Sequence, residues 1–392
     1  MSTRVLHVVK VAGISGAENH LLLLLPALRE RGFDVRVVVL HEGEPGAEEF
    51  ASRLAGADVG VDRLRISGTG GPRTLARLTR IVRRQRPEIV HTHLVHADFH
   101  GLLAGRLARV PVLVSTKHGF NPFREGRLFA AADRAIAGLA DLHIAISRGL
   151  ARYLGDREGF DPASFEIVHY GIEPGSPAPP PPGGARLAIV GRLIPIKGHA
   201  ELFRAVAAVR DDVPGLRLEV AGDGPLEAEL RGQAERLGLD DCVSFLGRVS
   251  PVAPVFERND VVVVPSHGEG FGMVALEAME RGRPVVASAV GGLPEIVEDG
   301  VTGLLVPPGD VEALGNALRE LAEDSERAQA MGAAGRTRAL DEFSQERCTE
   351  RIAALYGATL DAAGRRRSRS SSQARSSANA ASSASRKSQG AR

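Results

Sequence analysis

The sequence predicts an α/β fold of two doubly wound domains, each a mostly parallel sheet covered by helices. Short Val/Ile/Leu runs alternate along the chain with amphipathic stretches of helical length, the pattern of βαβ units. At 392 residues the chain is too long for one ordinary core and about right for two. A Pro- and Gly-rich run at residues 174–184 divides it near the middle.

In the first half, strands are expected at residues 5–9, 35–40, 89–93, 112–116, 143–146 and 167–169. These are near-continuous apolar runs, as strands covered on both faces should be. Residues 17–31 form a helical pattern whose leucines Leu21 to Leu25 suit a core. The run 174–184 can form neither helix nor ladder and reads as a stiff polyproline spacer ending on Gly183 and Gly184. Beyond it the scheme repeats, with strands expected at 187–190, 216–221, 243–245, 261–264, 285–287 and 303–306. The expected division is a first domain at 1–170, a linker at 171–185, a second domain at 186–343, a terminal helix at 344–364 and a basic tail at 365–392. The tail has no aromatic residue and no aliphatic periodicity, so disorder is expected there.

An apolar fraction of 43 % with 25 % charged residues is that of a soluble globular protein and excludes a fibrous or wholly disordered chain. Cys242 and Cys348 are too few and too far apart for a disulfide framework or a thiolate metal site, which favours a reducing compartment. No apolar stretch approaches the length of a membrane span, and Met1 leads straight into the first strand, so a cytoplasmic protein is expected. The net charge of +1 conceals a tail with eight Lys or Arg and no acid, leaving the body at about −7.

Ligands of open α/β sheets sit beyond the carboxyl ends of the strands, so the strand-to-helix loops are where chemistry should be sought. The loop around Gly13-Ile14-Ser15-Gly16-Ala17-Glu18 opens a helix, whose free N–H groups favour a phosphate. It lacks the G-x-G-x-x-G spacing of a dinucleotide site. The loop Gly191-Arg192 to Lys197-Gly198 holds two cations between glycines, suited to a diphosphate leaving group whose charge grows as a bond breaks. In Ser266-His267-Gly268-Glu269-Gly270-Phe271-Gly272, followed by a helix carrying Glu277, glycines let backbone N–H groups approach a sugar or phosphate. Glu269 lies before that helix and Glu277 about one and a half turns inside it. A carboxylate accepts two hydrogen bonds from a vicinal diol, which suits Glu277 to a ribose and Glu269 to a sugar hydroxyl.

Over roughly residues 4 to 360, these loops, with Gly222-Asp223-Gly224-Pro225, Phe245-Leu246-Gly247 and Val290-Gly291-Gly292-Leu293-Pro294-Glu295, resemble glycosyltransferase family 4. That family comprises retaining enzymes of the GT-B type, with two Rossmann-like domains facing a cleft. The resemblance implies that Arg192 and Lys197 hold the diphosphate, Glu277 the ribose, and Glu269 with the Gly270, Phe271 and Gly272 backbone the donor sugar. It also implies base contacts near Val249, diphosphate contact from Gly16, and a C-terminal helix crossing back onto the first domain. His118, in Ser115-Thr116-Lys117-His118-Gly119, matches the family's cleft histidine, which would touch the transferring sugar. The sequence departs from the family in having Ser15-Gly16 where two glycines are frequent, and His267 where an aromatic residue is common.

The implied reaction uses a UDP- or GDP-linked sugar as co-substrate and no metal or other cofactor, with no protein nucleophile; Glu269 as a covalent nucleophile is the variant mechanism. His91 and His93 share a strand face and His96 and His100 share a helical spacing, but no carboxylate or thiolate at ligand spacing accompanies them, so no metal is expected. The alternatives are a nucleotide-sugar epimerase of the same fold and a non-catalytic nucleotide-sugar-binding protein. Arg73, Arg77, Arg80 and Arg84 lie opposite Leu75, Leu78 and Val82 at helical spacing and suit an anionic membrane surface and a lipid-linked or cell-envelope acceptor. The Arg/Ser tail lacks stacking aromatics, so no specific nucleic acid is expected.

Overall fold

The computed structural model describes residues 2–68, 70–120, 127–175 and 185–389. The first sheet has seven strands, β1 (Arg4–Lys10), β2 (Asp34–His41), β3 (Gly60–Arg65), β4 (Ile89–His93), β5 (Val112–Lys117), β6 (Leu142–Ala145) and β7 (Phe165–Ile167), in the order β3-β2-β1-β4-β5-β6-β7. The second has six, β8 (Arg186–Val190), β9 (Arg217–Ala221), β10 (Val243–Gly247), β11 (Val261–Val264), β12 (Val285–Ser288) and β13 (Gly303–Val306), in the order β10-β9-β8-β11-β12-β13. Every strand pair is parallel. The apolar strands are buried on both faces, as parallel sheets between helices require.

β3 is absent from the sequence expectation, and its sequence explains why. Gly60-Val61-Asp62-Arg63-Leu64-Arg65 buries only Leu64, so an edge strand with one covered side chain gives no apolar run. The last strand of the first sheet also begins earlier than expected, at Phe165.

The two sheets are tied together where the chain crosses between them. Ile172 N–H donates to the Phe343 carbonyl at 2.8 Å, and Gln345 N–H donates to the Ile172 carbonyl at 2.9 Å. Gly175 N–H donates to the buried Glu280 carboxylate at 2.8 Å, which also pairs with Arg336. The spacer expected at 174–184 lies outside the described residues from 176 onward.

The helix Gln345–Gln389 returns onto the first domain. Its Cys348, Ile352, Leu355 and Tyr356 enter the core that Leu21, Leu25 and Leu28 of the helix Gly16–Glu30 share with β1 and β2. Arg351 pairs with Glu166 at 2.6 Å beside it. The helical backbone of this element runs on to Gln389, through the stretch from Arg365 where the sequence leads one to expect disorder. The tail contains no proline, and its Ala and Arg residues favour helix. The docked turns supply the nucleus, so propagation into the tail avoids the costly first step. No helix among the described residues is long and apolar enough to cross a membrane.

Candidate active site

Both sheets reverse strand order beside their first strand, between β1 and β4 and between β8 and β11. Loops diverge at such a switch point and leave a crevice. Here the two crevices meet in one cleft of about 420 Å³, lined by Ser15, Gly16, Leu94, Lys117, His118 and Tyr170 on one side and Ile196, Lys197 and residues 268–274 on the other.

On the first-domain side, Ser15 precedes the helix Gly16–Glu30 and gives its N–H and Oγ–H to Glu18 at 3.1 and 2.6 Å. The helix start at Gly16 is thereby fixed toward the cleft. Beneath it runs a file of rings. The Tyr170 hydroxyl lies 2.5 Å from His118 Nδ1, His118 Nε2 lies 2.9 Å from His93 Nδ1, and His93 Nε2 lies 2.9 Å from His7 Nδ1. His91 is engaged at both nitrogens, by Tyr356 at 2.6 Å and Thr116 at 2.7 Å. Burial, with the Lys117 charge, holds His118 down to about 3, and burial with His20 holds His7 at about 3. Burial likewise pushes His20, His91 and His93 well below the usual imidazole value. All five rings are therefore neutral at pH 7.

Next to His118, Lys117 is fully buried against Asp98 at 2.6 Å and Asp133 at 3.7 Å. Asp98 also accepts from Thr92 at 2.5 Å and Ser115 at 2.9 Å. An ammonium without water needs such partners.

On the second-domain side the Gly-rich loop after β11 is pinned by its own backbone. The Ser147 hydroxyl donates to the Gly270 carbonyl at 2.6 Å across the domain boundary, and Gly292 N–H donates to the Glu269 carbonyl at 3.1 Å. Gly291 has φ +55°, and a Cβ there would collide with that same Glu269 carbonyl. Lys197 Nζ donates to Glu269 Oε2 at 2.6 Å. Arg192 stands exposed on the Lys197 loop, its guanidinium with no hydrogen-bond or ion-pair partner among the described residues. The Glu277 side chain, in the helix Met273–Glu280, also has none among the described residues, and burial followed by the Glu280 charge pushes its carboxyl up to about 7. An unpaired carboxyl raised in this way is a candidate functional group.

Glu295 clamps the seam. It accepts from Gly149 N–H and from His169 Nε2, each at 2.9 Å. Burial works to raise its carboxyl, but these hydrogen bonds outweigh it and hold the group below the usual carboxylate value.

Two family models cover most of the chain between them, one for Glycosyltransferase Family 4 over residues 14–175 and one for Glycosyl transferases group 1 over residues 178–338. A D-inositol 3-phosphate glycosyltransferase of Actinosynnema mirum is 36 % identical over 308 residues, 70 % of this chain and 73 % of that protein. The chain belongs to glycosyltransferase family 4. A relative of the same name from Segniliparus rotundus is 36 % identical over 253 residues, 60 % of this glycosyltransferase but only 54 % of the relative's own length. Among solved structures, Anabaena HepE in complex with UDP and glucose superposes with a TM-score of 0.79 at 23 % identity, covering 91 % of this chain and all of that one. Sucrose-phosphate synthase from Thermosynechococcus elongatus gives 0.75 at 24 % identity, covering 92 % and 100 %. These two show the fold, which is GT-B.

Within this glycosyltransferase, Gly16, His118, Lys197, Glu269, Gly270, Phe271 and Gly272 all line the one cleft. Arg192, Val249 and Glu277 lie outside that lining. Val249 packs partly buried against Ala188, Ala221 and Val255 on the other flank of β8. His118 has no free ring nitrogen, so in this arrangement it offers a sugar no hydrogen bond. The histidine grouping also differs from the spacing argument. His7 joins His91 and His93, their ligand nitrogens all lying within 4.8 Å of one another, while His100 turns to the His96 carbonyl at 3.0 Å. Every nitrogen of the trio but His7 Nε2 is already hydrogen-bonded, and no carboxylate is among them to offset a cation.

Tyr170, His7, Asp98 and the clamp formed by Glu295 are not among the residues the sequence singles out. A polar residue inside an apolar run, as His7 is in β1, was the available signal. The partners of Tyr170 and Asp98 come from strands far apart in the chain, and no local spacing encodes them.

Proposed function

We propose that this glycosyltransferase moves a sugar from a UDP- or GDP-linked donor to an acceptor hydroxyl, with retention of configuration and without a metal. The observation that carries this reading is the set of charged groups left free or exchangeable around the second-domain loops. Arg192 is unpaired, Lys197 is held only by Glu269, and Glu277 has a raised carboxyl and no partner. A donor diphosphate draws Lys197 from Glu269 and adds Arg192. That exchange frees Glu269 for the sugar hydroxyls, while Glu277 takes the ribose diol. The two cations supply the charge stabilisation of the leaving group that a metal provides elsewhere. The acceptor attacks from the face the diphosphate leaves, and a phosphate oxygen takes its proton. The protein contributes position and field.

The relatives are D-inositol 3-phosphate glycosyltransferases by name, which suggests an acceptor bearing an anionic group. A concavity of about 590 Å³ at the start of the helix Pro72–Gln85, lined by Arg65, Arg73 and Arg77, offers cations for one. Of the arginine stripe, Arg84 is tied to Asp62 at 2.9 Å, so the face offered to an anionic membrane is narrower than the sequence spacing implies. A cytoplasmic setting, peripheral at such a membrane when the acceptor is lipid-linked, accords with two free, buried thiols.

The test is a donor screen that follows nucleotide diphosphate release with phosphorylated polyol, soluble glycan and lipid-linked acceptors. Acceptor-dependent release with a retained anomeric configuration and undiminished by chelation is the expected result. Turnover of donor without any acceptor points instead to an epimerase.

A further inference from the structure

The file Tyr170–His118–His93–His7 is a single row of hydrogen bonds whose members each have one proton to give, so its protons must all point the same way. A neutral imidazole carries one N–H and one bare nitrogen. If the Tyr170 hydroxyl donates to His118, each ring passes its proton inward and His7 ends with an N–H at Nε2. If the protons run outward, His7 donates to His93, His93 to His118, and His118 Nδ1–H to the Tyr170 oxygen. The Tyr170 O–H is then left to point elsewhere.

The two ends of the row decide between these. His7 Nε2 is fully buried and has no partner among the described residues. A buried N–H without an acceptor is rarer than a buried acceptor without a donor, which favours a bare nitrogen there. At the other end Tyr170 lines the cleft. Its ring is fixed by stacking on His20 at 4.3 Å and by an edge contact with Phe271 at 5.4 Å.

We propose that Tyr170 donates its phenolic O–H to an oxygen of the bound nucleotide sugar, and that His118, His93 and His7 are positioning residues that hold the phenol oxygen from behind. Burial keeps all three rings neutral, so the row transmits the sense of its hydrogen bonds and not a charge. Tyr170 thereby supplies the hydrogen bond that His118, saturated at both nitrogens, does not. This assignment rests on the donor reading given above.

Nitrogen-15 imidazole spectra of the unliganded full chain should show His7, His93 and His118 all protonated at Nδ1. Protonation of any of them at Nε2 overturns the proposal. Tyr170→Phe keeps the ring and its stacking but removes the oxygen, and should move the nitrogen signals of His93 and His7, which Tyr170 does not touch. Phe271→Leu, which alters packing on Tyr170 without entering the row, should leave them in place. If both variants move them equally, the coupling is packing alone and the proposal falls. With UDP-glucose as the probe, Tyr170→Phe should weaken binding about tenfold, the size of one hydrogen bond. Unchanged affinity removes the ligand contact. A wild-type chain that binds neither UDP-glucose nor any other UDP- or GDP-linked sugar counts against the donor reading, whereas the tautomers judge the row by themselves.

Discussion

The two domains share a winding pattern and face each other across one cleft, yet they present opposite chemistry to it. The second domain offers charged groups on glycine loops: Lys197, Glu269, Arg192 and Glu277. The first offers neutral rings and a helix start, with the Lys117 ammonium beside them buried against Asp98 and Asp133. The difference teaches that one side carries its charges in exchangeable contacts, as the proposed donor role requires, whereas the other is a fixed wall set by buried hydrogen bonds.

If that contrast holds, disrupting the wall costs folding and disrupting the loops costs chemistry. Asp98→Ala leaves Lys117 charged in the core with only Asp133 near it, and should lower stability by about 3–5 kcal/mol. Urea unfolding measures this. The double change Asp98→Leu with Lys117→Met should recover most of the loss, because both charges leave together.

In the second domain, Arg192→Ala and Lys197→Ala should depress kcat about a hundred- to a thousandfold while leaving the unfolding midpoint nearly unchanged. The leaving-group charge grows toward the transition state, so turnover should fall further than donor affinity. Steady-state kinetics with the donor found by the screen decides this. Near-normal turnover with weakened affinity would reduce both cations to ground-state contacts.

Glu277 sharpens the comparison through pH. Its folded carboxyl titrates near 7, above the ordinary value of 4.5, so the native state binds more protons than the unfolded one between those values. The group therefore costs no stability below about pH 4.5, costs progressively more as pH rises through 7, and keeps that cost above it. Glu277→Gln should raise the melting temperature at pH 8 and leave it nearly unchanged at pH 4.5. The same ionisation favours the ribose diol, so donor affinity in the wild type should rise as pH passes 7. The variant should lose that dependence and bind donor about tenfold more weakly. A donor affinity flat in pH for the wild type would remove Glu277 from the site.

The smallest effect belongs to the tail. Deleting residues 366–389 should change stability by no more than about 0.5 kcal/mol, since the core contacts of that helix end near Ala363. It should reduce flotation with anionic vesicles at low salt if the membrane reading is right. Unchanged flotation leaves only the Arg73, Arg77 and Arg80 face to account for any binding.

Much of the second-domain half of the site was legible, because glycine spacing and paired carboxylates are local signals. The strands from 187 to 306 were all readable for a similar reason, since strands buried on both faces spell apolar runs. β3 was not, because a mostly exposed edge strand has no such constraint. The helical backbone of the tail is likewise not legible in its composition. Low hydrophobicity says that a segment buries little, but it says nothing of a helix already nucleated next to it.

The sequence by itself determined the two parallel sheets, the loops at their carboxyl ends, and the cations and carboxylates of the second domain, since each follows from a period or spacing within some fifteen residues. The tertiary structure alone decided that Lys197 rests on Glu269, that Glu295 closes the seam on Gly149 and His169, and that Tyr170 heads a row reaching back to His7. Those partners lie 72, 146 and 126 residues apart for the first three pairs. They meet because parallel strands and two closing domains bring distant loops to one edge, and hydrogen-bond geometry then selects which side chains touch.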